Sequence, residues 1–148
     1  MVASITGGTG IGGVRSCRLV DLEQHKDERG SLSVVESERT VGFSVRRVYY
    51  LHDLQPGTSR GGHAHRSLEQ LIIAAHGAFT ITVDDGFHRA SHQLLQPGVG
   101  MYVGPMVWRN LSDFTEGAVC LVLASCHYDE SDYYRDYDAF LRDTRGTS

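Results

Sequence analysis

Cysteine is scarce in this chain of 148 residues, and lysine is almost missing. The three cysteines, Cys17, Cys120 and Cys126, are odd in number and far apart, which excludes a disulfide framework and points to a reducing, cytoplasmic setting. Cys120 lies in an apolar stretch and reads as core. None of the three stands in a motif that would make it a nucleophile. No segment approaches the roughly 18 apolar residues of a membrane span. The N-terminus has neither the basic start nor the sustained apolar centre of a secretory signal, so no membrane partner is expected. The formal net charge is −4, and no basic run interrupts it, which argues against nucleic acid as a partner. Thirteen arginines stand against the single Lys26. Arginine is the better fork for phosphate or carboxylate, but a biased source genome gives the same excess, so only individual arginines at a site count as evidence.

What is present is an ordinary globular composition, 41% hydrophobic and 22% charged, in a length that suits one domain with a real core. Residues 1–14 are rich in Gly, Thr and Ser and read as a flexible arm or a cloning remnant, followed by one domain over 15–148. Gly8-x-Gly10 has the look of a dinucleotide loop, but no strand precedes it and no amphipathic helix follows. From Val14 onward, short Val/Ile/Tyr/Phe runs alternate with turn signals. They predict strands near 17–21, 31–36, 43–51, 69–75, 78–83, 87–95, 100–103, 106–110 and 117–126. Asp84-Asp85-Gly86 is a hairpin signal, and Gln96-Pro97-Gly98 and Gly104-Pro105 mark further turns. This rhythm argues an all-β sandwich or barrel rather than alternating β/α units. At the C-terminus, Asp129 to Asp132 supply caps for a short helix, with Tyr133, Tyr137, Phe140 and Leu141 on one face. That stripe reads as packing against the barrel or a partner subunit.

The densest chemistry lies between Gly57 and Gly77, where Arg60-Gly61-Gly62-His63-Ala64-His65-Arg66-Ser67-Leu68-Glu69 brings two histidines and a carboxylate close together. Alternate residues of a strand share a face, so His63 and His65 point the same way. Two imidazoles with a nearby acid suit a metal site or proton transfer near neutral pH; the plain alternative is a solvated pair on a loop. The segment resembles the first motif of the cupins, which implies a double-stranded β-helix, or jelly-roll, barrel with a short C-terminal helix. Metal-binding cupins add a histidine from a second motif. The corresponding stretch here is Gly104-Pro105-Met106-Val107-Trp108-Arg109, with Arg109 at the ligand position. A guanidinium stays protonated and cannot ligate, so no metal and no cofactor are expected, and the histidines are left for acid–base work.

A narrower resemblance rests on five blocks in order. They are Asp27-Glu28-Arg29-Gly30-Ser31-Leu32, Arg46-Arg47-Val48-Tyr49-Tyr50, Arg60 to Gln70, Met101-Tyr102-Val103-Gly104-Pro105, and Tyr128-Asp129-Glu130-Ser131-Asp132-Tyr133. Together they look like the sugar-nucleotide 3,4-ketoisomerases, cupins that act on dTDP-4-keto-6-deoxy-D-glucose in deoxysugar biosynthesis. One departure concerns Arg109, where several members carry His. The resemblance implies a dTDP-linked keto-deoxyhexose substrate and a homodimer. It implies His63 as the base that removes the C3 proton, and Tyr49 as an acid or relay toward the enolate oxygen; a buried aromatic with a satisfied hydroxyl is the alternative for Tyr49. His65 is expected to position the sugar, shuttle a proton or act as a second acid or base. Arg29 resembles the phosphate-binding Arg-Gly element of related epimerases, and Arg47, Arg60 and Arg109 are further substrate-binding candidates. Tyr102 and Trp108 are expected on thymine or sugar, with core packing as the alternative for Trp108, and Glu69 is expected to orient a histidine. Rival readings are a metal-dependent cupin oxygenase, a dTDP-sugar 3,5-epimerase and a non-catalytic sugar-nucleotide binding module.

Overall fold

The computed structural model describes residues 9–146. Thirteen strands are followed by one helix. A six-stranded antiparallel sheet runs in the order β1 (Thr9–Gly10), β2 (Cys17–Asp21), β10 (Val99–Val103), β7 (Gln70–His76), β12 (Val119–Ala124), β5 (Arg47–Leu51). A five-stranded sheet runs β13 (Tyr133–Tyr134), β6 (Arg60–His65), β11 (Trp108–Ser112), β8 (Phe79–Asp84), β9 (Arg89–Leu94). The remaining pair, β3 (Glu23–Asp27) and β4 (Gly30–Val34), forms a separate hairpin. This is the all-β jelly-roll barrel that the cupin resemblance implies.

Period-two alternation explains how the sheets close. On β7, Ile72 and Ala74 turn inward to meet Ile81 and Val83 of β8, Met101 and Val103 of β10, and Val122 of β12 in the central core. Their neighbours Leu71 and Ile73 turn outward, where Val41, Phe43 and Tyr102 cover them. Strand β7 is therefore apolar on both faces, as a central strand with cover on each side must be. Each such side chain, fully buried, contributes about 1.5–3 kcal/mol.

Most expected strands lie within a few residues of their observed bounds, and Asp84-Asp85-Gly86 does turn β8 into β9. Gly86 has φ +92, and the carboxylates of Asp84 and Asp85 accept the N–H groups of Gly86, Phe87 and His88. Three readings change. Of the expected arm, residues 1–8 lie outside the described residues, whereas Thr9–Gly10 pairs with Leu19 and Arg18 of β2, and Ile11 and Val14 are buried in the core. The strand expected from 43 begins at Arg47, because Val41 and Phe43 are spent on covering β7. The C-terminal helix also starts later than its caps suggest. Asp129 caps only a 3-10 turn over Glu130–Asp132, and Tyr133–Tyr134 then pairs with β6. Asp136 caps the helix proper, α1 (Tyr137–Thr144). Strand pairing keeps the Tyr133 backbone bonded and turns its ring toward the histidines, so the helical stripe is Tyr137, Phe140 and Leu141.

Candidate active site

Between the sheets lies a cavity of about 430 Å³, walled by β5, β6, β7, β11 and β12 and closed at one side by the segment from Tyr133 to Arg135. Its apolar base is Leu51, Ile72, Leu111 and Val122. Four arginines, Arg47, Arg60, Arg109 and Arg135, line it, and no carboxylate does. Such a lining is an anion site, and it is strengthened by the low dielectric of its walls.

His63 is placed by a break in β-pairing. Arg109 opposes His63 but Asn110 opposes Gly61, so Gly62 bulges out of register. Gly61 and Gly62 have φ +103 and +54, a conformation that L side chains resist. A Cβ on Gly61 would meet the Arg109 carbonyl oxygen at 3.1 Å. The bulge brings the Gly61 carbonyl oxygen to 2.7 Å from His63 Nδ1. A carbonyl only accepts, so Nδ1 carries the proton and Nε2 keeps its lone pair. Among the described residues that buried Nε2 has no hydrogen-bond partner. Burial foremost, then the charge on Arg109, holds the His63 pKa down at about 4. At neutral pH the ring is a free base. His65, on the same face, stands behind it at 1% exposure, edge-on at 4.9 Å between ring centroids. Burial and the same arginine depress its pKa to about 2. Tyr133 lies tilted beside both rings, at 5.1 and 4.3 Å between centroids.

The opposite wall carries a polarised chain. Arg109, 2% exposed, donates from one nitrogen to Gln70 Oε1 and from another to the Val107 carbonyl at 3.0 Å. With its oxygen taken, Gln70 presents Nε2 to the Tyr49 hydroxyl, which accepts at 3.1 Å. The Tyr49 proton is thus left to donate elsewhere. Burial lowers the Arg109 pKa to about 10, still cationic at neutral pH, and raises that of Tyr49. Arg47 lies beside the Tyr49 ring, its Cζ 5.4 Å from the centroid.

Tyr49, Arg47, Arg60, His63 and Arg109 therefore come together as expected, with His65 directly behind. Four expected residues do not join them. Gln70 takes the inward position at the start of β7, so Glu69 turns out of the barrel. Its carboxylate accepts from the Tyr102 hydroxyl at 2.6 Å and orients neither histidine. Tyr102 belongs to the outer cluster with Phe43. Trp108 packs on the far face of its sheet against Tyr137 and Phe140. Arg29 sits on the β3–β4 turn, its side chain 86% exposed and forked onto Asp27. Gln70 and Arg135 have no role in the sequence reading, which takes Asp132 for a helix cap and Tyr133 for part of the packing stripe. Tyr133 and Arg135, two apart, carry the period of an extended segment, which the nearby caps obscured. Among the described residues, no group of three or more His, Cys, Asp or Glu side chains is disposed to hold a metal ion.

The profile of the family described as "FdtA: WxcM-like, C-terminal" matches residues 15–145. The chain is 42% identical over 125 residues, 84% of its length and 90% of the relative's, to TDP-4-oxo-6-deoxy-alpha-D-glucose-3,4-oxoisomerase of Aneurinibacillus thermoaerophilus. Among solved structures it resembles a point mutant of the 3,4-ketoisomerase QdtA from Thermoanaerobacterium thermosaccharolyticum in complex with TDP-4-keto-6-deoxyglucose. There the TM-score is 0.88 at 35% identity, covering 90% of this chain and 97% of that one. It also resembles the WlaRB TDP-quinovose 3,4-ketoisomerase of Campylobacter jejuni, with a TM-score of 0.84 at 41% identity, covering 87% and 99% of the two chains.

Proposed function

This chain belongs to the FdtA, WxcM-like C-terminal family, and from that premise we propose that it is an isomerase of TDP-linked 4-keto-6-deoxyhexoses. It moves the carbonyl from C4 to C3. The observation that carries the reading is His63, a neutral imidazole with a bare Nε2 in the wall of a cavity that holds four arginines and no acid.

The chemistry follows from those groups. His63 Nε2 takes the C3 proton, and the electron pair left on carbon moves toward the C4 oxygen, giving an enediolate. Tyr49 donates its free O–H to the developing oxyanion, and the buried charge of Arg109 stabilises it in a low dielectric, where such an interaction is strongest. Returning the proton to C4, with loss of the C3 hydroxyl proton and protonation at the C4 oxygen, completes the shift with no external oxidant or reductant. Arg47, Arg60 and Arg135 meet the pyrophosphate, for which planar guanidinium forks are suited.

Incubation with TDP-4-keto-6-deoxyglucose, followed by carbon NMR of the carbonyl, tests the reaction; a carbonyl that stays at C4 rejects it. Deuterium from solvent at C5 of the product would instead identify a 3,5-epimerase. Substrate bound without turnover would leave only a binding module. Metal analysis of active protein separates the oxygenase reading, whose second-motif ligand position holds Arg109.

The same reading includes a homodimer. Strand β5 is an unpaired sheet edge bearing Val48 and Tyr50, 56% and 60% exposed, and the β3–β4 hairpin beside Leu32 is exposed along nearly its whole length. Edges and apolar flanks of this kind invite a second subunit. Arg29, remote from its own cavity, meets phosphate only across such an interface. A cytoplasmic setting accords with three free cysteines. Among the described residues, no helix is long and apolar enough to cross a membrane.

A further inference from the structure

The second histidine has a partner behind it. Asp132 Oδ2 approaches His65 Nδ1 to 3.3 Å, with the carboxylate 15% exposed. That carboxylate is held rigidly. The Ser67 backbone N–H and hydroxyl donate to Oδ1 at 2.9 and 2.7 Å, and the Leu68 N–H donates to Oδ2 at 3.1 Å. Three donors from one turn engage both oxygens, so the carboxylate cannot swing away. We propose that Asp132 is a positioning residue that fixes His65 as its Nδ1–H tautomer, so that His65 serves the isomerase as a proton acceptor through Nε2; this rests on the function proposed above.

Lone pairs decide the tautomer. Oδ2 accepts the Leu68 N–H and faces the ring as an acceptor, so a lone pair on Nδ1 at 3.3 Å from it is repulsive and an N–H there is attractive. Among the described residues, neither ring nitrogen of His65 has a complete hydrogen bond, to Asp132 or to any other group, so the 3.3 Å approach of Oδ2 to Nδ1 is the contact that bears on the choice. The titratable and charged groups around the ring are His63 edge-on, Tyr133 tilted beside it, the cations Arg47, Arg109 and Arg135, and Asp132. Asp132 is the carboxylate within 4 Å of its nitrogens, while Asp129 lines the same small pocket as His65 and Glu130 is held on Arg135. The cations resist a positive ring, so the histidine stays neutral, and which nitrogen then bears its proton rests with Asp132. Both histidines thereby present the same polarity. His63 is set by the Gly61 carbonyl and His65 by a carboxylate, and each keeps Nε2 as an acceptor.

Asp132→Asn tests this. The amide keeps an acceptor for Ser67 but turns an NH2 toward Nδ1, which favours the Nε2–H tautomer. We expect kcat to fall by on the order of 10²-fold or more, the range of acid–base contributions, with TDP affinity and KM little changed, and a lower melting temperature because Oδ2 also accepts the Leu68 N–H. Nitrogen-15 ring spectra of His65 should move from the Nδ1–H to the Nε2–H pattern. An unchanged kcat in a variant with the switched tautomer overturns the proposal, as does a change confined to KM. Wild-type spectra decide it even if the variant fails to fold, since Nε2–H in the native protein refutes it outright. They also separate it from the reaction itself: an inactive wild type sinks the isomerase reading, while the tautomer signal is read without turnover.

Discussion

At the scale of single residues, the site depends on protonation states chosen by burial. His63 is neutral because its surroundings disfavour charge, with a folded pKa near 4 against 6.5 for an exposed imidazole. A base works only when unprotonated. The rate should therefore be flat through neutral pH and fall only as acid protonates His63 near pH 4, well below the ordinary histidine range. A kcat/KM profile with its acid limb near 6.5 would contradict this. His63→Asn keeps a polar side chain but removes the base, and turnover should drop at least about 10²-fold while TDP affinity, measured by calorimetry, is retained. Near-full turnover would remove His63 from the role. The two histidines were legible from spacing and strand alternation, and Tyr49, Arg47, Arg60 and Arg109 from the family resemblance, whereas Arg135 of the wall was not. Gln70 was not, because a neutral amide has meaning only once Arg109 and the Tyr49 hydroxyl are seen on either side of it. Glu69 misled for a related reason: sequence proximity to the histidines says nothing of facing, and one step along β7 reverses it.

Among the elements, β6 is the most constrained. Its Gly61-Gly62 bulge gives His63 a carbonyl partner, and at Gly61 both the backbone angle and the nearby Arg109 carbonyl oppose a side chain, whereas Gly62 is restricted by its angle alone. Gly61→Ala should cost roughly 1–3 kcal/mol for a non-glycine at positive φ and lower kcat by misplacing the imidazole. Thermal melting combined with kinetics checks this, and wild-type values in both would show the bulge to be incidental. Helix α1 serves a different end. It buries Phe140 against Trp108 on the outer face of the five-stranded sheet. Trp108→Ala should therefore lower stability by about 2–3 kcal/mol, as aromatic truncations do, and leave TDP binding intact; a selective loss of affinity would return Trp108 to the site. Strand rhythm made the all-β class readable, since alternation and turn residues act locally; the cupin resemblance chose the barrel, and β3 and β6 were not among the expected strands. The C-terminal segment was not readable, because pairing of Tyr133–Tyr134 with β6 is a long-range bond that local capping signals from Asp129 to Asp132 do not report.

Across the whole molecule, the unmatched parts are the hairpin bearing Arg29 and the open edge of β5. If a second copy covers them, Arg29→Ala should weaken TDP binding about tenfold or more, the loss of one charge-assisted contact, although the residue lies outside its own cavity. Sedimentation of the wild type should give a dimer. Unchanged affinity would leave Arg29 as a surface partner of Asp27, as it stands within one protomer.

The wall of four guanidinium groups, of which Arg135 alone is forked onto an acid, Glu130, has a consequence of its own. Such a chamber behaves as a miniature anion exchanger. It will concentrate whatever polyanion the surroundings supply, so inorganic pyrophosphate or sulfate should compete with the sugar nucleotide for entry. Added salt should blunt capture of the substrate more than the turnover of substrate already bound.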